Sequence, residues 1–257
     1  MSQQRSLAEQ FRSLHVPGKP LVIFNVWDAG SARAVASAGA PAVGLGSWSV
    51  AAAQGFDDGE CMPLDHVCAN LGRIVAAVEL PVSIDFESGY GHHAAEVGRN
   101  IERIIRIGAI GCNLEDGLAG AGDLREPAEQ AARIAEARRA AASANIPFFI
   151  NARSDGFLQA PADRHDAGLL NNALERGKAY ADAGADGLFL PGLVDPALIE
   201  RAVRQSPLPV NIMKTLQAPT LGELTELGVA RVSHGPGPYR LMMKHLEQAC
   251  RAAMQAG

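Results

Sequence analysis

Paired cysteines are missing from this chain. Its four cysteines (Cys61, Cys68, Cys112, Cys250) show no C-x-x-C spacing, which argues against a zinc knuckle or a disulfide framework and fits a reducing cytoplasm. A basic cluster is also lacking: 23 Lys and Arg stand against 28 Asp and Glu, a formal net charge of −5. Nothing therefore points to nucleic acid, and a small partner is expected. No apolar run approaches about 18 residues, and the start from Met1 to Phe11 is polar and mixed in charge. Neither a membrane span nor a signal peptide is expected. With no long Pro/Ser linker and no shift of composition, the 257 residues read as one domain.

What the chain does have is a repeat of short β-rich runs and longer Ala-rich amphipathic segments, the pattern of βα units around a parallel sheet. Eight strands are expected: 21–25, 42–46, 82–85, 110–114, 148–152, 187–190, 209–212 and 231–233. Helices are expected over 31–38, 64–78, 94–107, 127–144, 170–183, 196–205, 220–227 and 239–255. Glycines just past several helices, at Gly39, Gly108, Gly184 and Gly228, mark left-handed caps before the next strand. Eight units in a chain of this length favour a closed (β/α)₈ TIM barrel over an open sheet, with the active site at the carboxyl ends of the strands.

Those strand ends collect polar groups at one rim. Asp85 and Glu87 follow strand three at i, i+2 spacing, which on a strand sends both carboxylates to the same face. Buried together they are costly unless a cation sits between them, and a hard divalent ion such as Mg²⁺ is the usual solution. Asn113 and Glu115 share a face, as do Asn151 and Arg153. The inward set thus joins carboxylates that can hold a cation to a guanidinium that can clamp an anionic group through two bonds. His234, at the end of strand eight, is a candidate acid/base. For His92, His93, Cys61, Tyr90 and Lys214, surface or packing roles compete with site roles. The stretch 154–171 reads equally as a lid or a surface loop, and Gly235-Pro236-Gly237-Pro238 as a plain turn.

Several runs in order along nearly the whole chain resemble the phosphoenolpyruvate mutase/isocitrate lyase superfamily. They are Asp85-Phe86-Glu87-Ser88-Gly89-Tyr90-Gly91, Asn113-Leu114-Glu115-Asp116, Asn151-Ala152-Arg153-Ser154-Asp155, Gly46-Ser47, Gly55-Phe56-Asp57-Asp58-Gly59, and Ser233-His234-Gly235-Pro236. The resemblance implies a Mg²⁺ site, with Mn²⁺ as a substitute, in which Asp85 is the nearest protein ligand and Asp58, Glu87 and Glu115 act through water. It implies a small anionic 2-oxo acid as substrate, its carboxylate held by backbone N–H groups near Ser47 and Trp48 and by Arg153. It further implies a homo-oligomer, a dimer or tetramer.

Some features depart from that family. The Lys-Lys-Cys-Gly-His loop of its isocitrate-type lyases is absent after strand four, where this chain reads Glu115-Asp116-Gly117-Leu118-Ala119-Gly120-Ala121-Gly122-Asp123-Leu124. Strand six ends Leu190-Pro191-Gly192, without a glutamate, and Glu87 replaces the family's commoner aspartate. The reading is a Mg²⁺-dependent lyase that cleaves a C–C bond of an oxaloacetate-like 2-oxo acid through an enolate. Catalytic roles fall to Arg153, His234 and Glu115, substrate binding to Gly46, Ser47, Trp48, Arg153 and Asn211, and metal binding to Asp85, Glu87, Asp58 and Glu115. The alternatives are C–P chemistry on a phosphonopyruvate-like compound and a barrel that only binds a 2-oxo acid. The loop from Gly117 to Leu124 is expected to close over the site without supplying an acid.

Overall fold

Eight short parallel strands form one sheet: β1 (Leu21–Ile23), β2 (Val43–Leu45), β3 (Val82–Asp85), β4 (Gly111–Glu115), β5 (Phe149–Arg153), β6 (Gly187–Leu190), β7 (Val210–Met213) and β8 (Arg231–Ser233). This computed structural model describes residues 3–118 and 122–255. Each strand pairs with the next in sequence from β2 to β8, and β8 pairs with β1. Between β1 and β2 the ring is completed just beyond the strands, where the Val26 N–H donates to the Gly44 carbonyl (2.9 Å) and the Gly46 N–H to the Val26 carbonyl (3.1 Å). The result is the expected (β/α)₈ barrel.

The helices, in chain order, are α1 (Gln3–Ser13), α2 (Ala29–Ser37), α3 (Ser47–Ala53), α4 (Leu64–Val75), α5 (Ala94–Ile107), α6 (Pro127–Ser143), α7 (Gly156–Gln159), α8 (Ala167–Asp182), α9 (Pro196–Gln205), α10 (Leu221–Glu226) and α11 (Gly237–Gln255). Their starts follow from side-chain caps: Asp28 accepts the Ser31 N–H at 2.7 Å, and Thr220 and Glu223 exchange bonds across the first turn of α10. The face of α5 that carries Val97, Ile101, Ile104 and Ile105 is buried, while Arg99 and Arg106 stay in solvent. Each such aliphatic burial contributes about 1.5 to 3 kcal/mol. The helix stops at Gly108, whose φ of 121° suits glycine and whose missing Cβ would stand 2.8 Å from Val75.

One unexpected helix decides which end of the barrel is open. Helix α1 lays Phe11 across the amino-terminal mouth, edge-on to Phe149 at 5.6 Å, and His15 just beyond it stacks on Phe149 at 3.9 Å. There is room because β4 starts with glycine; a Cβ on Gly111 would sit 3.4 Å from the Phe11 ring. Burial, helped by the nearby Arg231 charge, drives the His15 pKa down to about 3, so its ring is neutral. With that mouth plugged, the barrel opens at its carboxyl-terminal rim among the described residues. At the far end of the chain, α11 projects Leu241, Met242, Met243, Leu246 and Met254 into solvent.

Candidate active site

Strand register assembles the site. Asp85 lies opposite Asn113, and Asn113 opposite Asn151; one step nearer the rim, Glu115 lies opposite Arg153 and Arg153 opposite Phe189. A polar row follows, in which Asn151 donates to the Asn113 side-chain oxygen (2.9 Å) and Asn113 donates to Asp85 Oδ1 (3.2 Å). The other oxygen of Asp85 accepts the Ser47 hydroxyl at 2.9 Å. Ser47 opens α3, whose first N–H groups have no acceptor inside the helix.

Arg153 is held more tightly than its sequence position suggests. Its Nε and Nη2 donate to the two oxygens of Asp155 (2.6 and 3.1 Å), and its Nη1 meets Glu115 at 2.8 Å and Asp85 at 3.4 Å. The two-pronged edge expected to clamp a substrate is therefore occupied by Asp155. Beneath it lies Asp116, fully buried, which accepts the Asp155 N–H (2.9 Å), the Ser154 hydroxyl (3.0 Å), the Tyr180 hydroxyl (2.7 Å) and Arg176 (3.3 Å). Every partner of this buried charge is a donor, as a charge in a low dielectric requires.

Above this floor lies a cavity of about 290 Å³. Asp58, Asp85, Asn113, Arg153 and Ser47 line its charged side, and Leu158, Phe189, Pro191, Met213 and Pro236 its apolar side. At the mouth the Arg240 guanidinium stacks on Trp48, 4.4 Å from the ring centre.

On the charged side two carboxylates, Asp58 and Asp85, stand against one guanidinium, Arg153. Burial pushes Glu87 up to about 7 and raises Glu115; burial and the Asp85 charge raise Asp58. Such crowding is relieved by added positive charge. Among the described residues no group of three or more His, Cys, Asp or Glu is gathered as a ready-made metal cage. A few carboxylates facing an open cavity fit Mg²⁺, which keeps much of its water, better than Zn²⁺.

The structure places several of the expected site residues away from the lining of this cavity. Glu87 does not face the cavity: its carboxylate accepts the backbone N–H groups of Gly59 (3.3 Å) and Glu60 (3.0 Å). The reason is that β3 ends at Asp85 and Glu87 has a left-handed φ of 48°, so strand alternation no longer aims its side chain. Glu115 spends its carboxylate on Arg153 and does not line the cavity. Asn211 faces inward one layer too deep, exchanging hydrogen bonds with the Ser233 hydroxyl (3.2 and 3.3 Å). His234 points outward, since Ser233 before it points in; its ring meets Phe24 at 5.0 Å. His92 and His93 give their N–H groups to Glu96 at the start of α5, Lys214 caps the Ala218 and Pro219 carbonyls, and Cys61 is exposed.

The loop after β4 is pinned at its base, where Gly117 bridges Leu124 and the Leu118 N–H donates to the Asp123 carbonyl at 2.9 Å. Its tip, residues 119–121 of the loop expected to close over the site, lies outside the described residues. The stretch after β5 contains α7 and a single 3-10 turn at Ala162–Arg164, and it brings Leu158 to the cavity. Reading the sequence missed Arg240 and the apolar wall. Phe189 carried a signal, lying two residues beyond Gly187 on one strand face; Arg240, on a helix, carried none.

A closed parallel barrel, plugged at its amino end and gathering acids, an arginine and helix-start amides at the other, has the layout of an enzyme barrel. Residues 11–254 match the family described as phosphoenolpyruvate phosphomutase. The chain belongs to this family, within the phosphoenolpyruvate mutase/isocitrate lyase superfamily. A crystal structure from Burkholderia cenocepacia, provisionally named a phosphonomutase, is 54% identical with a TM-score of 0.94, covering 99% of this chain and 100% of that one. The 2-methylisocitrate lyase of Escherichia coli is 29% identical over 95% of this chain and 87% of its own length. Oxaloacetate decarboxylase 1 of Pseudomonas fluorescens is 31% identical over 98% of this chain and 86% of its own.

Proposed function

We propose that the protein is a Mg²⁺-dependent lyase that cleaves a C–C bond of a small 2-oxo acid, with oxaloacetate-like compounds as the substrate class. One observation carries this reading. The cavity joins Asp85, Asp58, Arg153 and the Ser47 turn, yet no Cys, His, Lys or Glu among the described residues lines it. Cleavage of a hydroxylated substrate needs a base to take the hydroxyl proton. Loss of CO₂ from a 3-carboxylated 2-oxo acid does not, because the bonding electrons pass into the adjacent carbonyl and CO₂ departs without a proton transfer. Decarboxylation therefore suits a lining without such groups, and water can protonate the resulting enolate afterwards.

Asp85 and Asp58 are the residues that would hold the cation, with Ser47 and Asn113 orienting Asp85. When bound, Mg²⁺, or Mn²⁺ in its place, supplies positive charge beside the 2-oxo oxygen and lowers the cost of the enolate. The free amides of Ser47 and Trp48, beyond the Gly46 turn, receive the substrate's 1-carboxylate. Arg153, neutralised in part by Asp155 and Glu115, retains one unengaged N–H and orients the substrate rather than clamping it. Arg240 offers the second cation, for the far carboxylate, and the apolar wall excludes water from the bond that breaks. The exposed apolar side chains of α11 support a homo-oligomer.

A second reading, C–P chemistry on a phosphonopyruvate-like compound, is favoured by the name given to the 54% identical structure. A panel of 2-oxo acids and phosphonates, each with Mg²⁺ and with EDTA, separates the two. EDTA-sensitive pyruvate from oxaloacetate is the expected result. Turnover of phosphonopyruvate with inert oxaloacetate would replace the first reading by the second.

A further inference from the structure

Left-handed backbone is rare outside glycine and persists where surrounding contacts fix it. Four non-glycine residues adopt it among the described residues, and three of them, Glu60 (φ 63°), Glu87 (φ 48°) and Tyr90 (φ 55°), meet at one place beside the cavity. There two segments bind each other in both directions. Glu87, from the turn after β3, accepts the N–H groups of Gly59 and Glu60. In return, one oxygen of Glu60, Oε1, accepts both the Ser88 hydroxyl and the Tyr90 N–H, each at 2.8 Å. Asp58 immediately precedes the Gly59-Glu60 pair and lines the cavity, so whatever fixes that pair fixes the position of Asp58.

We propose that Glu60 and Glu87 are reciprocal positioning residues that lock the loop between α3 and α4 onto the turn after β3 and so hold Asp58 at the cavity, Glu87 serving the cation site through this lock and not as a ligand. The idea rests on the reading of Asp58 as a metal-facing carboxylate. Glu87 is suited to the task by its length. Both its oxygens reach amides on the other segment, which the shorter aspartate arm would not do from the same backbone. Replacing Glu87 by aspartate, which from sequence looks harmless, should therefore open the lock.

The test uses the full chain, with Mn²⁺ as the probe and its dissociation constant read by electron paramagnetic resonance, alongside thermal unfolding and amide exchange. Glu60→Gly removes the carboxylate where a left-handed φ suits glycine, so folding should survive; Glu60→Gln keeps an oxygen able to accept both bonds. Glu60→Gly and Glu87→Asp should each weaken Mn²⁺ binding about 10-fold or more, the usual cost of losing an outer-sphere partner. Glu60→Gln should stay close to wild type, and the Glu60→Gly/Glu87→Asp double variant should be no weaker than the worse single one. Faster amide exchange at Gly59 and Glu60 in Glu87→Asp should accompany the loss. Wild-type Mn²⁺ affinity in Glu60→Gly, with Asp58→Asn weakened, would overturn the lock. Loss in Glu60→Gln equal to that in Glu60→Gly would also overturn it, by making charge the cause. Unchanged affinity in Asp58→Asn would instead overturn the metal reading of Asp58 on which the proposal rests, and unchanged exchange in Glu87→Asp would overturn the lock by itself.

Discussion

The two halves of the barrel rim are built on different principles. From β3 to β5 the strand ends carry Asp85, Asn113, Glu115, Asn151 and Arg153, each hydrogen-bonded or ion-paired to a neighbour. From β6 to β8 the cavity meets Phe189, Pro191, Met213 and Pro236. In the first half each side chain is restrained by the next, so a change at one is felt by all. In the second half Ser233 is still hydrogen-bonded to Asn211, but only packing relates these four apolar residues, and each can change size almost independently. Under the proposed function, charge handling falls to the interlocked half, with Arg240 across the mouth, and substrate shape to the apolar one.

The largest effect that would break this division is expected below the charged half. Asp116→Ala leaves Arg176 buried without its acid and releases the Arg153-Ser154-Asp155 segment. A stability loss of roughly 3 to 5 kcal/mol should appear in urea unfolding. A loss under about 1 kcal/mol, within the range of ordinary surface changes and their error, would mean that the charged half does not depend on its buried anchor.

Next comes pH. Glu87 is raised by burial to about 7 in the folded metal-free protein, against its ordinary 4.5, so between those values the folded state holds a proton that the unfolded state has lost. Its contribution is therefore fully present below pH 4.5 and disappears as pH rises through 7, on the order of 3 kcal/mol in all. Metal-free Glu87→Gln should lose stability less steeply than wild type between pH 5 and 8. Parallel slopes for the two proteins would show that Glu87 is not the group that titrates.

Arg153→Lys keeps the charge but cannot reproduce the paired bonds to Asp155 together with the contact to Glu115. It should lower kcat/KM by roughly 1.5 to 3 kcal/mol in transition-state terms. An unchanged kcat/KM would remove Arg153 from the substrate site. The smallest effect belongs to the apolar half: Met213→Ala should shift preference toward bulkier 3-substituted 2-oxo acids by roughly 1 to 2 kcal/mol, with Mn²⁺ affinity unchanged. A loss of Mn²⁺ affinity there would show that the halves are coupled after all.

Much of this was legible before any coordinates. The strands showed because buried parallel strands are short apolar runs closed by turn residues, and β3, β6 and β8 have the expected bounds, while β1 stops two residues early, at Ile23. That Glu115 and Arg153 both face inward followed from alternation; the register that pairs them did not. Alternation also explains what failed. It holds only while the backbone is extended, so it misplaced Glu87, which lies beyond the end of β3. Applied consistently it would have turned His234 outward, given Ser233 inward. It has no information on depth, which is why Asn211 looked like a rim residue. Helix α1 was missed because its apolar stripe is narrow, with only Ala8 and Phe11 buried. Arg240 reaches the site from a helix that no strand-end rule covers.

The central claim is that a cation held by Asp85 makes the charged half catalytic. Pyruvate formation from oxaloacetate should be followed during a Mg²⁺ titration of EDTA-stripped wild type and Asp85→Ala, with folding of both checked by circular dichroism. Stripped wild type should be inactive and recover with Mg²⁺, whereas folded Asp85→Ala should stay inactive at every concentration. A Mg²⁺ response in Asp85→Ala like that of wild type, or full activity in stripped wild type, would contradict it.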